Sequence, residues 1–329
     1  MRILLAIDGS EPAARALELV DHVAWPAGSV IRVVSALQHG PDLVPNPHIP
    51  PLRTGAGGTT PAELEAPKGP DPRDIESSLV RRLDDALDAA VLELDRPGRT
   101  VERMLLRGRA ATAIVDEAAT FAADLIVVGH RGHGRLPSLL LGSVSAEVVD
   151  HAPCPVLVAR GTEVGSLLLA ADGSLGAASA ERFLLDHPVF AGLPIRVVSV
   201  AEVGMPWSTG MSPGIYDQVI ESYSEAVDEA RRECGAIAAV VASHLSRAGY
   251  EAVAETREGD PAGEIIGAAE AHGTDLIVTG TRGHRGLTRL ILGSTARKLL
   301  SNAPCSVLIV RESPAVAEVE PAGASAAAT

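Results

Sequence analysis

The chain has 329 residues, a hydrophobic fraction of 46%, an aromatic fraction of 2% and a formal net charge of −14. Its length predicts about two domains, whose cores must be aliphatic because aromatic side chains are scarce. The acidic balance excludes a general nucleic-acid binder, which needs clustered Lys and Arg to neutralise phosphates and aromatic rings to stack on bases.

The predicted elements of the first half alternate between short apolar strands and amphipathic helices. We predict strands at 3–7, 30–36, 101–106, 124–128 and 155–159, and helices at 12–24, 75–91, 110–122 and 143–151. Continuous apolar strands that alternate with helices indicate a doubly wound α/β domain with a five-stranded, mainly parallel sheet and helices on both faces. Ligands of such Rossmann-like sheets bind at the carboxyl ends of the strands, where the strand order reverses.

The second half repeats the first. The opening strand and its Asp-Gly-Ser at 8–10 return at 172–174, an offset of 164, whereas the later blocks return at an offset of 151. The difference predicts a net insertion in the first copy, within a Pro- and Gly-rich stretch at 38–72 that is typical of an irregular loop. We therefore predict two domains, at 1–161 and 162–315, and a disordered tail at 316–329.

A glycine pattern follows the fourth strand of each copy. Its members are Gly129, Gly132 and Gly142-Ser143 in the first copy, and Gly280, Gly283 and Gly293-Ser294 in the second. Glycine permits close approach of the backbone to a ligand, and a helix N-terminus attracts phosphate through its free N–H groups. Ser143 and Ser294 stand where a helix is predicted to begin, so each could cap the helix or offer a hydroxyl. A flexible loop with a serine cap would explain one copy, but the same spacing in two copies favours a phosphate site.

This pattern resembles the universal stress protein family in its tandem form, over about 300 residues. The resemblance rests on the Asp-Gly-Ser after the first strand, the glycine spacing and the closing Ala-Pro-Cys segments. It implies ATP in each copy, with magnesium left open, and the following contacts: Asp8 and Asp172 with adenosine, Ala36 and Val200 with adenine, Gly129 and Gly280 with ribose, and Gly132, Gly142, Ser143, Gly283, Gly293 and Ser294 with the phosphates. The next residues differ, Val144-Ser145 against Thr295-Ala296, and leave the last phosphate contact open. Asp8 and Asp172 could instead form Asx turns.

The resemblance also implies that the two halves pair through their last strands, at 155–159 and 306–310. Each chain would then be an intrachain pseudo-dimer, and a further homodimer and the protein partners stay open. The opening segment is too short for the apolar part of a signal peptide and no apolar run reaches the length of a membrane span, so we expect a cytoplasmic protein. Cys154, Cys234 and Cys305 form no disulfide framework, and the matched pair Cys154 and Cys305 is expected to be buried rather than redox-active.

Three functions compete at this point. The first is an ATP-binding regulator of stress responses with little or no catalysis, because the sequence offers no base, arginine finger or Walker-type lysine; Lys298 stands four residues after Ser294, inside the helix. The second is a slow ATPase or nucleotide-processing enzyme that takes its catalytic group from the loop at 38–72. The third is an interaction scaffold that works without nucleotide.

Overall fold

The structure is a computed structural model that describes residues 1–37, 72–130, 141–202, 213–281 and 292–311. Side chains are described from residue 76 in the helix that begins at Pro72 and from residue 222 in the helix that begins at Pro213. The predicted loop at 38–72, except its last residue, and the predicted tail at 316–329 lie outside the described residues, as do Gly132 and Gly283.

Ten strands and eight helices alternate along the described chain. The strands are β1 (Arg2–Ala6), β2 (Ser29–Leu37), β3 (Arg99–Arg107), β4 (Leu125–Gly129), β5 (Val156–Ala159), β6 (Leu167–Ala170), β7 (Pro194–Ala201), β8 (Glu251–Glu258), β9 (Leu276–Gly280) and β10 (Ser306–Val310). The helices are α1 (Glu11–His22), α2 (Pro72–Leu94), α3 (Ala110–Thr120), α4 (Ser143–His151), α5 (Leu175–Asp186), α6 (Pro213–Arg247), α7 (Pro261–His272) and α8 (Ser294–Asn302). Each predicted element of the first half is present within a few residues of its predicted bounds.

All ten strands belong to one sheet, in the order β3-β2-β1-β4-β5-β10-β9-β6-β7-β8. Within each half the strands are parallel, as the apolar runs predicted. In the first half the chain moves outward from β1 to β2 and β3, then returns to place β4 on the other side of β1. The strand order therefore reverses between β1 and β4, and between β6 and β9 in the second half, which is where a doubly wound sheet opens a crevice.

The two halves join through their last strands. β5 and β10 run antiparallel, with Leu157 opposite Leu308 and Val158 opposite Val307. This is the intrachain pairing that the family resemblance implied. Because each of these strands would otherwise be an unprotected sheet edge, the pairing satisfies the backbone groups of both.

Two apolar layers cover the sheet, one on each face. Alternate residues of β1 show the division: Ile3 and Leu5 belong to the layer that α1, α2, α5 and α6 complete, whereas Leu4 belongs to the layer that α3, α4, α7 and α8 complete. Each layer continues from one half into the other. Leu157 and Leu308 both belong to the first layer, and Val158 and Val307 both belong to the second. None of the helices in the described part of the chain is both long and apolar enough to cross a membrane.

Candidate functional site

The aspartate that follows the first strand of each half orders the turn into the next helix. Asp8 Oδ1 accepts a hydrogen bond from the backbone N–H of Ser10 at 3.0 Å, and Asp172 Oδ1 accepts one from Ser174 at 3.0 Å. Ser10 and Ser174 in turn are the N-caps of α1 and α5. The Asx turn that sequence left as an alternative is therefore present, and it holds each carboxylate at the carboxyl end of its strand.

Gly129 and Gly280 are required by packing before any ligand is considered. A Cβ on Gly129 would lie 2.6 Å from the carbonyl oxygen of Pro12, in the first turn of α1. At Gly280 a Cβ would collide with the backbone of Gly176, the equivalent residue of α5. Glycine thus lets the first turn of the helix pack directly against the end of the strand beside it, backbone against backbone.

In each half a backbone hydrogen bond joins the two residues on either side of the glycine loop. The N–H of Gly142 donates to the carbonyl oxygen of His130 at 2.9 Å, and the N–H of Gly293 donates to that of Thr281 at 2.7 Å. Gly142 and Gly293 occupy the N-cap positions of α4 and α8, with no side-chain capping bond. The expectation that Ser143 and Ser294 could cap these helices is therefore wrong: both are the first helical residues.

The two residues after Ser143 differ from their equivalents after Ser294. The hydroxyl group near the carbonyl oxygen of Gly129 or Gly280 therefore comes from a different position in each half. Ser145 is buried and donates its hydroxyl proton to the carbonyl oxygen of Gly129 at 2.7 Å. The second half has Ala296 at this position, and Thr279 Oγ1 lies 3.4 Å from the carbonyl oxygen of Gly280 instead. Ser145 is thus committed to the strand end, whereas Val144 is exposed and Thr295 partly exposed at the helix start.

A cavity of about 490 Å³ opens at the carboxyl ends of β6 and β9. It brings together all the second-half residues that the sequence predicted and the structure describes: Asp172, Val200, Gly280, Gly293, Ser294 and Thr295. Val198, Ile237 and Ile265 add an apolar wall. In the first half the equivalent positions follow the same frame, since Ala6 of β1 lies opposite both Val34 of β2 and Val128 of β4.

Charged residues that the sequence did not assign to a site also line this cavity. Lys298 is one, although it stands outside any P-loop pattern, and Asp260 is another. Lys298 Nζ lies 2.9 Å from Asp260 Oδ1, and this hydrogen bond, together with one from the N–H of Gly263, holds the pKa of Asp260 below its ordinary value. A helical reading would have found Lys298, because residues four apart on a helix share a face and Ser294 begins this helix.

The family assignment follows from a comparison of the whole sequence. The model of the universal stress protein family matches residues 1–160 and again residues 164–311. This chain belongs to the universal stress protein family. The double match makes it a tandem member.

Known relatives agree with that assignment. A universal stress protein of Thermus aquaticus is 37% identical over 160 residues, which is 48% of this chain and 97% of that protein. A universal stress protein of Mycobacterium tuberculosis is 28% identical over 245 residues, 70% of this chain and 75% of the relative. The solved structure of a universal stress protein from Archaeoglobus fulgidus superposes with a TM-score of 0.59 at 17% identity, covering 95% of this chain and 98% of that one, and so shares its fold.

The cysteines of the two universal stress protein repeats fall into two environments. Cys154 and Cys305 are both buried, as expected for small core residues, and burial raises the pKa of Cys154 to about 12 and that of Cys305 to about 11. Cys234 is partly exposed and lines the cavity. Across the described ranges there is no cluster of three or more His, Cys, Asp or Glu side chains that could hold a metal ion.

Proposed function

We propose that each half of this universal stress protein binds one adenine nucleotide, ATP by the family resemblance, and that the chain acts as a stress-response regulator with little turnover. One observation carries the proposal. The described second-half residues that the family resemblance assigned to adenosine, adenine, ribose and phosphate come from four separate segments, yet they border a single cavity at the switch point of the sheet. Its volume is in the range of small-molecule sites.

Two parts of the cavity wall suit two parts of a nucleotide. Val198, Val200 and Ile265 offer apolar surface to a base. Val200 is the next-to-last residue of β7. Gly293, Ser294 and Thr295 bring the start of α8 into the wall. Because the first N–H groups of a helix have no partner within the helix and carry its positive dipole end, this is where phosphate is favoured.

Slow turnover is the companion proposal. Phosphoryl transfer needs a group that orients water and a cation that stabilises the developing charge on the phosphate. Lys298 is the cation among the described residues of the cavity wall, and it is already paired with Asp260. The carboxylate of Asp172 is likewise engaged by the N–H of Ser174. Both groups are suited to holding a ligand rather than to moving a proton.

The test begins with protein that has just been purified. We would denature it, identify the released nucleotide by chromatography and determine its ratio to chain. Nearly two ATP per chain would support the proposal in full, and about one would mean that the halves have diverged. Mostly ADP would favour slow hydrolysis. No nucleotide, followed by no binding when ATP and magnesium are added, would leave the scaffold.

Variants then assign the sites. Gly142 and Gly293 have φ of −61° and −63°, so Leu fits the backbone at both positions while projecting at a helix start. Each of Gly142→Leu and Gly293→Leu should remove one bound nucleotide, measured by titration calorimetry. Gly161→Leu is the matched control, because a Cβ there meets nothing nearer than the carbonyl oxygen of Glu163 at 3.8 Å. Loss of both nucleotides in one variant, with its fold intact by circular dichroism, would argue against independent sites.

A further inference from the structure

The described part of the wall of the second-half cavity carries more acidic than basic side chains. Among the residues that the structure describes, it contains the carboxylates of Asp172, Glu202, Glu233 and Asp260 and the ammonium group of Lys298. A nucleotide triphosphate is itself an anion, so acidic side chains in this part of the wall disfavour it relative to a nucleotide that carries less charge. Acidic side chains are unexpected beside a phosphate site, so the equivalent positions of the first half are informative.

Equivalent positions in the two halves can be matched through buried residues. Leu94 of α2 and Leu245 of α6 are both 0% exposed, and so are Val148 of α4 and Leu299 of α8. Each pair is separated by 151 positions, the offset of the repeat. At this offset Glu233, Asp260 and Lys298 correspond to Arg82, Arg109 and Glu147. The sign of the charge is reversed at all three positions.

Two of these positions form a salt bridge in each half, with the acidic and the basic partner exchanged. In the second half Asp260, the N-cap of α7, pairs with Lys298 of α8 at 2.9 Å. In the first half Arg109, the N-cap of α3, pairs with Glu147 of α4 at 2.9 Å. Because the length of the bridge is the same, either polarity ties the two helices together. Either polarity is therefore compatible with this packing of the two helices.

We propose that these reversed charges make the two sites prefer different charge states of adenine nucleotide: the first half takes the free polyphosphate, and the second half discriminates against it. The inference rests on the proposed function, since it assumes a nucleotide in each half. Charges about 8–10 Å apart near a protein surface still interact at low salt, where the screening length exceeds that distance. A net change of two charges over these three positions, acting on the extra charges of ATP relative to AMP, corresponds to about tenfold in relative affinity.

The experiment isolates each site and compares two probes. In the Gly142→Leu chain only the second-half site is open, and in the Gly293→Leu chain only the first. The dissociation constants of ATP and AMP are measured by calorimetry in EDTA at about 0.05 M salt. The preference for ATP over AMP should be about tenfold greater in the first half. Magnesium, which neutralises part of the triphosphate charge, and 0.5 M salt should each shrink that difference.

Charge-reversal variants show which residues cause the difference. Glu233→Arg, added to the Gly142→Leu chain, should raise the ATP preference of the second half toward that of the first, and Arg82→Glu, added to the Gly293→Leu chain, should lower it. Asp228→Arg is the matched control, because it makes the same change on α6 at an exposed residue outside the cavity wall. Equal preferences in the two halves, or equal effects of Glu233→Arg and Asp228→Arg, would overturn the charge inference and leave nucleotide binding intact. No binding of either probe by the unmodified chain would overturn both.

Discussion

Arg160 donates a hydrogen bond to the carbonyl oxygen of Leu300 at 2.6 Å, and so reaches from the end of β5 to the last turn of α8 in the other half. Arg311, its equivalent after β10, donates to the carbonyl oxygen of Val149 at 2.6 Å and also to that of Asp150, in the last turn of α4. Each half thus places a guanidinium at the C-terminal end of the other half's helix, where the free carbonyls and the helix dipole favour a cation.

Removal of either arginine should loosen the seam between the halves. We expect Arg160→Ala and Arg311→Ala each to lower the free energy of unfolding by about 2 kcal/mol, because charge-assisted bonds to helix-end carbonyls are lost. Amide hydrogen exchange should quicken in β5 and β10. Arg81→Ala, whose hydrogen bond to the carbonyl oxygen of Ser77 stays within α2, is the control and should change stability little. Equal effects of all three substitutions would show that the reciprocal contacts contribute nothing special.

The close approach at the strand ends makes a second prediction. Gly129→Ala and Gly280→Ala should each cost about 3 kcal/mol, because the added methyl group would collide with the backbone of Pro12 or Gly176, which cannot yield as a side chain can. Gly161→Ala, where the space is open, should be nearly neutral. Chemical denaturation of the three variants measures the difference. A neutral Gly280→Ala would mean that α5 can move away from β9 without loss.

Thiol reactivity should separate the three cysteines. Burial raises the pKa of Cys154 and Cys305 to about 12 and about 11, so both remain protonated and shielded at neutral pH. Cys234 is partly exposed and should react first with a thiol reagent. Because Cys234 lines the cavity, a bound nucleotide should slow its modification, whereas Gly293→Leu should abolish that protection. Equally fast labelling with and without ATP would place the ligand elsewhere.

A cluster of charges around Glu255 should make stability depend on acid pH. Burial alone would raise the pKa of Glu255, but the hydrogen bond and charge of Arg257, with the charges of Arg196 and His272, outweigh it and lower the pKa below its ordinary value of 4.5. A carboxyl group whose pKa is lower in the folded state stabilises the fold above its unfolded pKa, and that contribution is lost as pH falls through the folded value.

Glu255→Gln should therefore cost about 2 kcal/mol at pH 7, with the difference from the unmodified chain shrinking as pH falls through the lowered pKa of Glu255. Urea unfolding at a series of pH values measures it. Glu251→Gln is the control, at an exposed position on the same strand. A difference that persisted unchanged at pH 3 would show that the side chain acts through packing rather than through its charge.

The sequence predicted the frame of the fold more fully than the details of the site. Apolar runs located the strands, because a strand covered on both faces must be apolar throughout, and the repeat doubled the evidence for each element. The start of α4 was placed correctly, but Ser143 was considered as its cap because Gly and Ser are both common there and a shift of one residue is invisible in sequence. Lys298 does not fit the linear P-loop motif, but its position on α8, four residues after Ser294, brings it to the cavity. The reversed bridge between Asp260 and Lys298 needed coordinates, since its partners are 38 residues apart.

The antiparallel seam between β5 and β10 also decides how the halves can change over time. In a pair of separate, identical chains every substitution appears twice, and dilution can part the two copies. Here each copy meets the same neighbour at an effective concentration fixed by the short segment between Ala159 and Leu167, whatever the abundance of the protein. One copy can therefore diverge while the other retains the original chemistry, and no exchange of subunits can mix the two.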